Sequence, residues 1–395
     1  MRRWWVVAVL FLLSFITIVD RVAISAAKSD MARDLAIQDV TFGVVFGAFA
    51  LGYGVFMFPS GWLADRLGPR RFLTLIVAFW SLFTLSTGLV SAIPVLIAVR
   101  FLFGAAEAGA YPTAARAIYN WLDKHERGLA LGLLNTGSRL GAAFGLAAMS
   151  LSVAEFGWRL SFVALGIAGF LWAGLWHAWF RDLPEKAERP IVNQSGDCRA
   201  LVSLNSALIL AQYFASNFTF FLCFSWLLPY MKSHYGLSTA EAGVYASIPL
   251  YFGALATWTS GLAVDFIYKR GCLHLSRLLP AMFGFALACV TVIAAAYMPT
   301  PISFILCFAL TTFGVDFTLS PSWTVCSDVA GRYTATLSGA MNTMGSFGSF
   351  VSSVTFPWLL GLTGNIKTYF LAAACLNALA VLWWWRIRPE PPTAT

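Results

Sequence analysis

Six ionisable side chains stand inside long apolar stretches of this sequence: Asp20, Arg21, Arg100, Glu107, Arg139 and Asp316. A guanidinium presents a planar fork of donors that matches a carboxylate. A carboxyl group in a low-dielectric setting trades its charge for a proton when burial outweighs its counter-ion. Set in a bilayer, each unpaired charge would cost roughly 2.5–3.5 kcal/mol at a helix centre. Six would cost on the order of 15–20 kcal/mol, more than the stability of most domains. Three acids and three bases sum to zero, so the set can pair or line a wet cavity.

The stretches that hold them fill the chain. Of 395 residues, 59% are hydrophobic and 11% charged, with a mean hydropathy of +0.74. A soluble domain carries roughly 25% charged residues, so water is not the solvent for most of this surface. Twelve apolar segments run from 4–27 to 368–386. Helices satisfy their own backbone groups in lipid, which predicts an all-α membrane protein. Its twelve transmembrane helices would form two pseudo-symmetric six-helix bundles, 1–183 and 203–395, joined by a cytoplasmic linker at 184–202. No room is left for a separate soluble domain. The opening Met1-Arg2-Arg3 resembles a secretory leader, but the apolar run continues to Ala27, which is too long for one.

With the N-terminus inside, eighteen Lys and Arg fall on the cytoplasmic side, five outside and three within spans. That bias predicts both termini in the cytoplasm of a bacterial-type inner membrane. It also accounts for the net charge of +8 as a face toward the inner leaflet, with no nucleic-acid role. Seven Cys lie between Cys198 and Cys375 without a C-x-x-C; they read as buried free thiols, with neither a disulfide framework nor a metal site.

The two halves repeat. Ser60-Gly61-Trp62-Leu63-Ala64-Asp65 returns at an offset of 200 as Ser260-Gly261-Leu262-Ala263-Val264-Asp265, with Arg70 matched by Arg270. Gly132, Asn135, Thr136 and Gly141 return at an offset of 207 as Gly339, Asn342, Thr343 and Gly348. Glu107 and Pro112 return more faintly at an offset of 209 as Asp316 and Pro321. Three matches in the same order speak against chance and for the matched halves of a rocking transporter.

Depth follows from a rise of ~1.5 Å per residue. Asp20 and Arg21 fall in the outer half of the first span, and Arg100 lies roughly 9 Å down the fourth. Glu107, Arg139 and Asp316 come out near the midplane. Arg100 and Glu107, seven apart, share one helix face, and Asp20 shares a level with Arg100, so an Asp20–Arg100 pair is feasible. A bound organic carboxylate would need such an arginine, and an empty carrier would need a carboxylate to neutralise it. Protonation of that carboxylate from outside would release the arginine for the anion, so that proton and anion cross together.

At Gly61-Trp62-Leu63-Ala64-Asp65-Arg66-Leu67-Gly68-Pro69-Arg70-Arg71, between the second and third spans, the sequence resembles the major facilitator superfamily. More narrowly it is similar to the anion:cation symporter family, which includes sugar-acid transporters for galactonate, glucarate and hexuronates. That likeness is carried by Asp20-Arg21, by Arg100, Glu107 and Pro112, by Trp121 and Glu126-Arg127, and by Ser320-Pro321-Ser322-Trp323 through Gly339-Ala340-Met341-Asn342. The resemblance implies proton coupling at Asp20 and Glu107 and anion binding at Arg21 and Arg100. It also brings Tyr53 to the cavity, where core packing is the alternative. Ile18 departs from the family, where a Tyr commonly precedes the Asp by two, and this puts a strict copy of a polyhydroxylated sugar-acid site in question.

Each of these residues has a structural alternative. Glu107 could form a buried pair with Arg100, Arg21 could snorkel, and Arg100 could clamp two helices. Arg139, one turn beyond Asn135, reads as a second cationic contact or as a partner for Asp316 or Glu107. Asn342 and Asn135 read as substrate contacts or as bonds between helices, and Ser320 is a weaker candidate of the same kind. Gly61, Asp65, Arg66, Gly68, Arg70 and Arg71 read as a cytoplasmic latch, in which Asp65 pairs with an Arg or caps a neighbouring helix.

The expected function is proton-coupled uptake of a small organic anion by a monomer, with no cofactor beyond the proton gradient. The alternative is an exporter, antiporter or anion exchanger of the same superfamily. Exporters usually show a Pro/Gly motif on the fifth span, whereas Gly137, Gly141 and Gly145 occur here without Pro. An intramembrane enzyme is disfavoured: the four His lie near span ends, and no H-E-x-x-H or G-x-S-G occurs.

Overall fold

The computed structural model describes residues 2–122, 124–182, 201–330 and 334–389. Among them the regular structure is helical and no strand occurs. The helices are α1 (Arg2–Asp34), α2 (Asp39–Leu89), α3 (Ile93–Glu107), α4 (Ala110–Trp121), α5 (Lys124–Trp179), α6 (Leu204–Ser225) and α7 (Leu227–Tyr235). They continue as α8 (Thr239–Lys269), α9 (Leu273–Ala295), α10 (Pro301–Phe317), α11 (Leu319–Ala330), α12 (Thr334–Thr363) and α13 (Lys367–Arg386).

Two helices are too long for one crossing. α2 has 51 residues and α5 has 56, about 75 and 85 Å at 1.5 Å per residue, against a hydrocarbon core of ~30 Å. Each turns at a glycine with positive φ, Gly68 (φ 74°) and Gly157 (φ 76°), a conformation that side chains with a Cβ rarely adopt. Ten stretches among the described residues are long and apolar enough to cross a membrane. One of them, Thr136–Trp179, contains the Gly157 turn and so makes two crossings. α12 adds another: its 30 residues carry no acid or base, although Ser and Thr lower its hydropathy. Among the described residues, length and composition thus allow the twelve predicted crossings.

The chain forms two compact units. The first comprises Met1–Arg189 and Phe224–Ser247, and the second Pro190–Cys223 and Ile248–Thr395.

In the first unit, glycines set the helix distances. A Cβ on Gly137, Gly141 or Gly145 of α5 would meet α1 at Phe11 O (2.5 Å), Phe15 O (2.5 Å) or Val19 Cγ2 (2.6 Å). This face of α1, spaced by four, is thus spent on α5, and Ser14 and Arg21 look elsewhere. α2 and α3 cross just as closely: a Cβ on Gly52 would lie 2.1 Å from Phe101 O, and one on Gly104 2.2 Å from Phe49 O. Gly104→Ala is therefore expected to destabilise the protein by about 1–3 kcal/mol through overpacking, read as a lower Tm in detergent. Gly174→Ala is the control, because nothing lies within 4 Å of its Cβ position. The segment after α6 packs into the same unit. Ser25 Oγ donates to Ser225 O (2.9 Å), Trp226 stacks edge-on against Phe46, and a Cβ on Gly243 would strike Ser150 Oγ.

The second unit repeats these devices. A Cβ on Gly348 of α12 would meet Phe214 O of α6 at 2.5 Å, as Gly141 meets Phe15. Pro112 and Pro321 lack the N–H that would bond the carbonyl four residues back. Accordingly α3 gives way to α4 after Glu107, and α10 to α11 after Phe317. The Phe317 carbonyl freed in this way accepts Ser260 Oγ at 2.5 Å. Its counterpart Ser60 stands with Cβ 3.1 Å from the Cβ position of Gly109, at the bend after α3. The core of this unit gathers Ile209, Phe285, Met341 and Trp384. Six cysteines lie among the described residues and all are free. Cys223 and Cys326 are buried, but Cys272 and Cys375 are exposed, against the expectation of buried thiols throughout.

Candidate functional site

Five of the six membrane charges belong to the first unit, and the four whose side chains are described, Asp20, Arg21, Arg100 and Glu107, gather there. Ser14 and Arg21 lie seven residues apart on one stripe of α1. Ser14 Oγ meets Tyr111 OH at 3.1 Å, and Arg21 Nε donates to Glu107 Oε1 at 2.6 Å. Glu107 ends α3, where Pro112 bends the span, and is 0% exposed; the Arg21 side chain is 20% exposed. The pair that forms is therefore Arg21–Glu107, not Arg100–Glu107. Two helical turns separate Arg100 from Glu107 by about 10 Å along one axis, while Arg21 approaches from another helix at the level of the carboxylate.

Asp20 points away from α5 toward the second half of α2, where Thr84 Oγ1 donates to Asp20 Oδ1 at 3.1 Å, both residues being buried. No Asp20–Arg100 bond joins them. Arg100 is also buried and lies within electrostatic range of Asp20, Glu107 and Arg21. It is held by aromatic faces, with its Cζ 4.7 Å from the Phe103 ring and 5.4 Å from Phe49. Arg21 Cζ stands 5.2 Å from the same Phe49 ring and 4.6 Å from Tyr53. Phe49 thus serves both guanidiniums, whose carbons are separated by no more than the sum of their distances to its centroid. Cation–π contact stabilises a desolvated guanidinium without using its donors. Arg21 Nη2, Arg100 Nε and Glu107 Oε2 are buried without a hydrogen-bond partner among the described residues. The cluster is formally neutral and short of hydrogen bonds among the described residues, so adding an anion or removing a carboxylate charge would rearrange it.

Phe49, Phe103, Thr84, Ser14 and Tyr111 join this site without having been singled out from sequence. Their signal was present: an aromatic residue one helical turn from Tyr53 or Arg100, and a hydroxyl two turns from Arg21.

The other predicted residues lie elsewhere or outside the described side chains. Asn342 and Ser320 belong to the second unit. Asn342 Nδ2 donates to Ser338 O of its own helix (3.1 Å), and Ser320 O accepts Thr324 Oγ1. Asp316 is buried there against α8, where a Cβ on Gly253 would overlap its carboxylate. The side chains of Asn135, Arg139 and Asp65 and the surroundings of Gly61 lie outside the described set. Of the latch residues, Arg70 binds the end of α5: its guanidinium donates twice to His177 O (3.0 and 2.8 Å), and its backbone N–H to Asp182 Oδ1 (3.1 Å). Gly68 supplies the turn beside Asp182, and Arg66 and Arg71 are exposed.

Twelve crossings, a repeat written into glycines and prolines, and buried charges in one bundle describe a carrier. A family model for the Major Facilitator Superfamily matches residues 10–353. The chain belongs to that superfamily. This transporter is 29% identical to the probable sulfoacetate transporter SauU of Cupriavidus necator, over 96% of this chain and 92% of that protein. It is 29% identical to the probable galactarate/D-glucarate transporter GudP of Bacillus subtilis, over 96% and 90%. The hexuronate transporter of Bacillus subtilis is 27% identical, over 95% and 92%. Sugar-acid transporters are the relatives that the sequence resemblance implied. Among solved structures, a bacterial homolog of the human lysosomal transporter Spinster, inward-facing and occupied, aligns with a TM-score of 0.82 at 18% identity. That alignment covers 97% of this chain and 96% of the other, and speaks for the fold.

Proposed function

We propose that the transporter takes up a small organic anion, a sugar acid or another short carboxylate or sulfonate, together with protons, by alternating access. The observation that carries this reading is the buried Arg21–Glu107 pair at 2.6 Å, with Arg100 and Asp20 beside it. The relatives named as transporters of sulfoacetate, galactarate/D-glucarate and hexuronate support the anion. In the cycle, a proton from outside binds the Glu107 carboxylate, and the neutral acid gives up its charge-assisted bond to Arg21. The Arg21 guanidinium then turns its donors to the acid group of the anion, with Arg100 as the second cation. Asp20, bonded to Thr84, balances Arg100 in the empty carrier and takes a proton in the same way. Release inside returns both carboxylates to their arginines. The carrier is proposed as a monomer of the bacterial inner membrane; the distribution of Lys and Arg supports both termini lying in the cytoplasm.

The test is uptake into proteoliposomes. An acidic exterior is expected to concentrate a galactarate, hexuronate or sulfoacetate probe inside, and a protonophore to abolish the gradient. Efflux driven by the same gradient would instead establish the exporter reading. Equal exchange with no response to pH would establish an anion exchanger.

A further inference from the structure

We infer that the second unit carries a headgroup site for an anionic phospholipid, where the start of α6 meets the end of α13. A cleft of about 680 Å³ opens there, lined by Ser203, Leu204, Asn205, Trp385, Arg386 and Arg388.

The site is built by the chain beyond α13. Ile387 is 1% exposed, has an extended backbone (φ −67°, ψ 128°) and bonds back to Trp383 O and Trp384 O. With Ile387 buried, Arg386 at the end of α13 and Arg388 just beyond it are both exposed and both line the cleft. Asn205 fixes this register. Its Nδ2 donates to Arg388 O at 2.9 Å, and its Oδ1 accepts the Arg388 N–H at 3.1 Å. Below the clamp, the fully buried Trp384 indole donates to Gln212 Oε1 at 3.3 Å, tying α13 to α6 again. Neither guanidinium meets a carboxylate among the described residues. Ser203 Oγ accepts the Ser206 N–H at 3.2 Å, and the first amides of the 22-residue α6 add their positive end to the two guanidiniums.

The flanks decide what kind of anion fits. Val202 is 91%, Leu204 69% and Trp385 70% exposed, so the cations stand beside bare apolar surface and an interfacial tryptophan. A free phosphate would satisfy the arginines and make no use of that surface. A phosphodiester with acyl chains satisfies both at once, as basic pockets at the ends of membrane helices do. The occupant is therefore a phospholipid with net negative charge, such as phosphatidylglycerol.

Native mass spectrometry of the full chain with added phosphatidylglycerol or phosphatidylcholine tests the assignment. Phosphatidylglycerol is expected to stay bound and phosphatidylcholine to be lost. The double substitution Arg386→Ala, Arg388→Ala is expected to lower phosphatidylglycerol retention roughly thirtyfold, at about fivefold per surface cation. If that variant fails to fold, Arg386→Lys with Arg388→Lys keeps the charge and is expected to keep the lipid, while Asn205→Ala frees Arg388 and is expected to weaken retention. Four results would overturn the site: equal retention of the two lipids, undiminished retention in the alanine variant, loss of retention in the lysine variant, or displacement of the lipid by inorganic phosphate at millimolar concentration. The last would assign the cleft to a free anion instead.

Discussion

Glu107→Gln is expected to abolish accumulation driven by a pH gradient while leaving exchange of anion across the membrane. Glutamine keeps the shape of the protonated acid, and its amide oxygen can still face Arg21 Nε, the partner now 2.6 Å away. It cannot take or release a proton. The carrier is then held in the form that has already surrendered its ion pair, so the anion binds and crosses but nothing ties it to the gradient. Each pH unit offers about a tenfold concentration ratio per coupled proton, ~1.4 kcal/mol. In the variant that ratio falls by at least one proton's share. Accumulation of a labelled sugar acid at imposed pH differences measures it, with counterflow as the exchange control. An unchanged slope of accumulation against pH difference would move the proton to another group.

Arg21→Ala should remove anion binding and also weaken the fold, and the two losses are separable. Glu107 is fully buried, so deleting its cation leaves an uncompensated charge, at a cost of about 3–5 kcal/mol. The double substitution Arg21→Ala, Glu107→Gln removes that charge and is expected to recover most of the lost Tm. It should not recover binding, because the charge-assisted bonds of a guanidinium to an acid group are worth about 1.5–3 kcal/mol each, so losing a bidentate pair costs on the order of a hundredfold in Kd or more. Arg100→Ala is expected to match this loss of affinity, and Arg100→Lys to restore only part of it. Lysine keeps the charge but cannot stack a planar cation on Phe49 and Phe103. Thermal shifts with galactarate, a hexuronate and sulfoacetate report both quantities. Undiminished ligand shifts in Arg21→Ala and Arg100→Ala together would place the anion elsewhere.

The architecture was legible because lipid leaves few choices. Apolar length marks each crossing, and the repeat showed itself at Ser60 and Ser260, Gly141 and Gly348, and Pro112 and Pro321 because each carries a structural duty that only a few residues perform. Gly68 and Gly157 lie in the connections where two successive crossings turn back, and their positive φ is seen only in the structure. The membrane charges were legible for the opposite reason, as residues that bilayers exclude. Their pairing was not. Spacing along one helix placed Arg100 and Glu107 on a common face, but partners are chosen between helices, by crossings such as Gly52 on Phe101 and Gly104 on Phe49 that no single helix encodes. The Phe49 ring shared by Arg21 and Arg100 is a further product of that crossing. Asn342 illustrates the ambiguity of a lone amide in an apolar helix, since a bond to its own helix at Ser338 satisfies it as well as a ligand would.

The membership of Phe224–Ser247 in the first unit bears on how the protein is made. A ribosome that has released residue 189 has not yet supplied everything that this bundle buries. Trp226, which stacks on Phe46, and Gly243, which leaves room for Ser150, emerge only after α6 has been synthesised. Until then Ser25 and the C-terminal end of α1 await their covering, and the partly made bundle exposes surface that the finished one hides. Insertion of the second half therefore begins before the first is complete, and a pause once Ser247 has cleared the ribosome would help this bundle close where a pause just after residue 189 has cleared it would not.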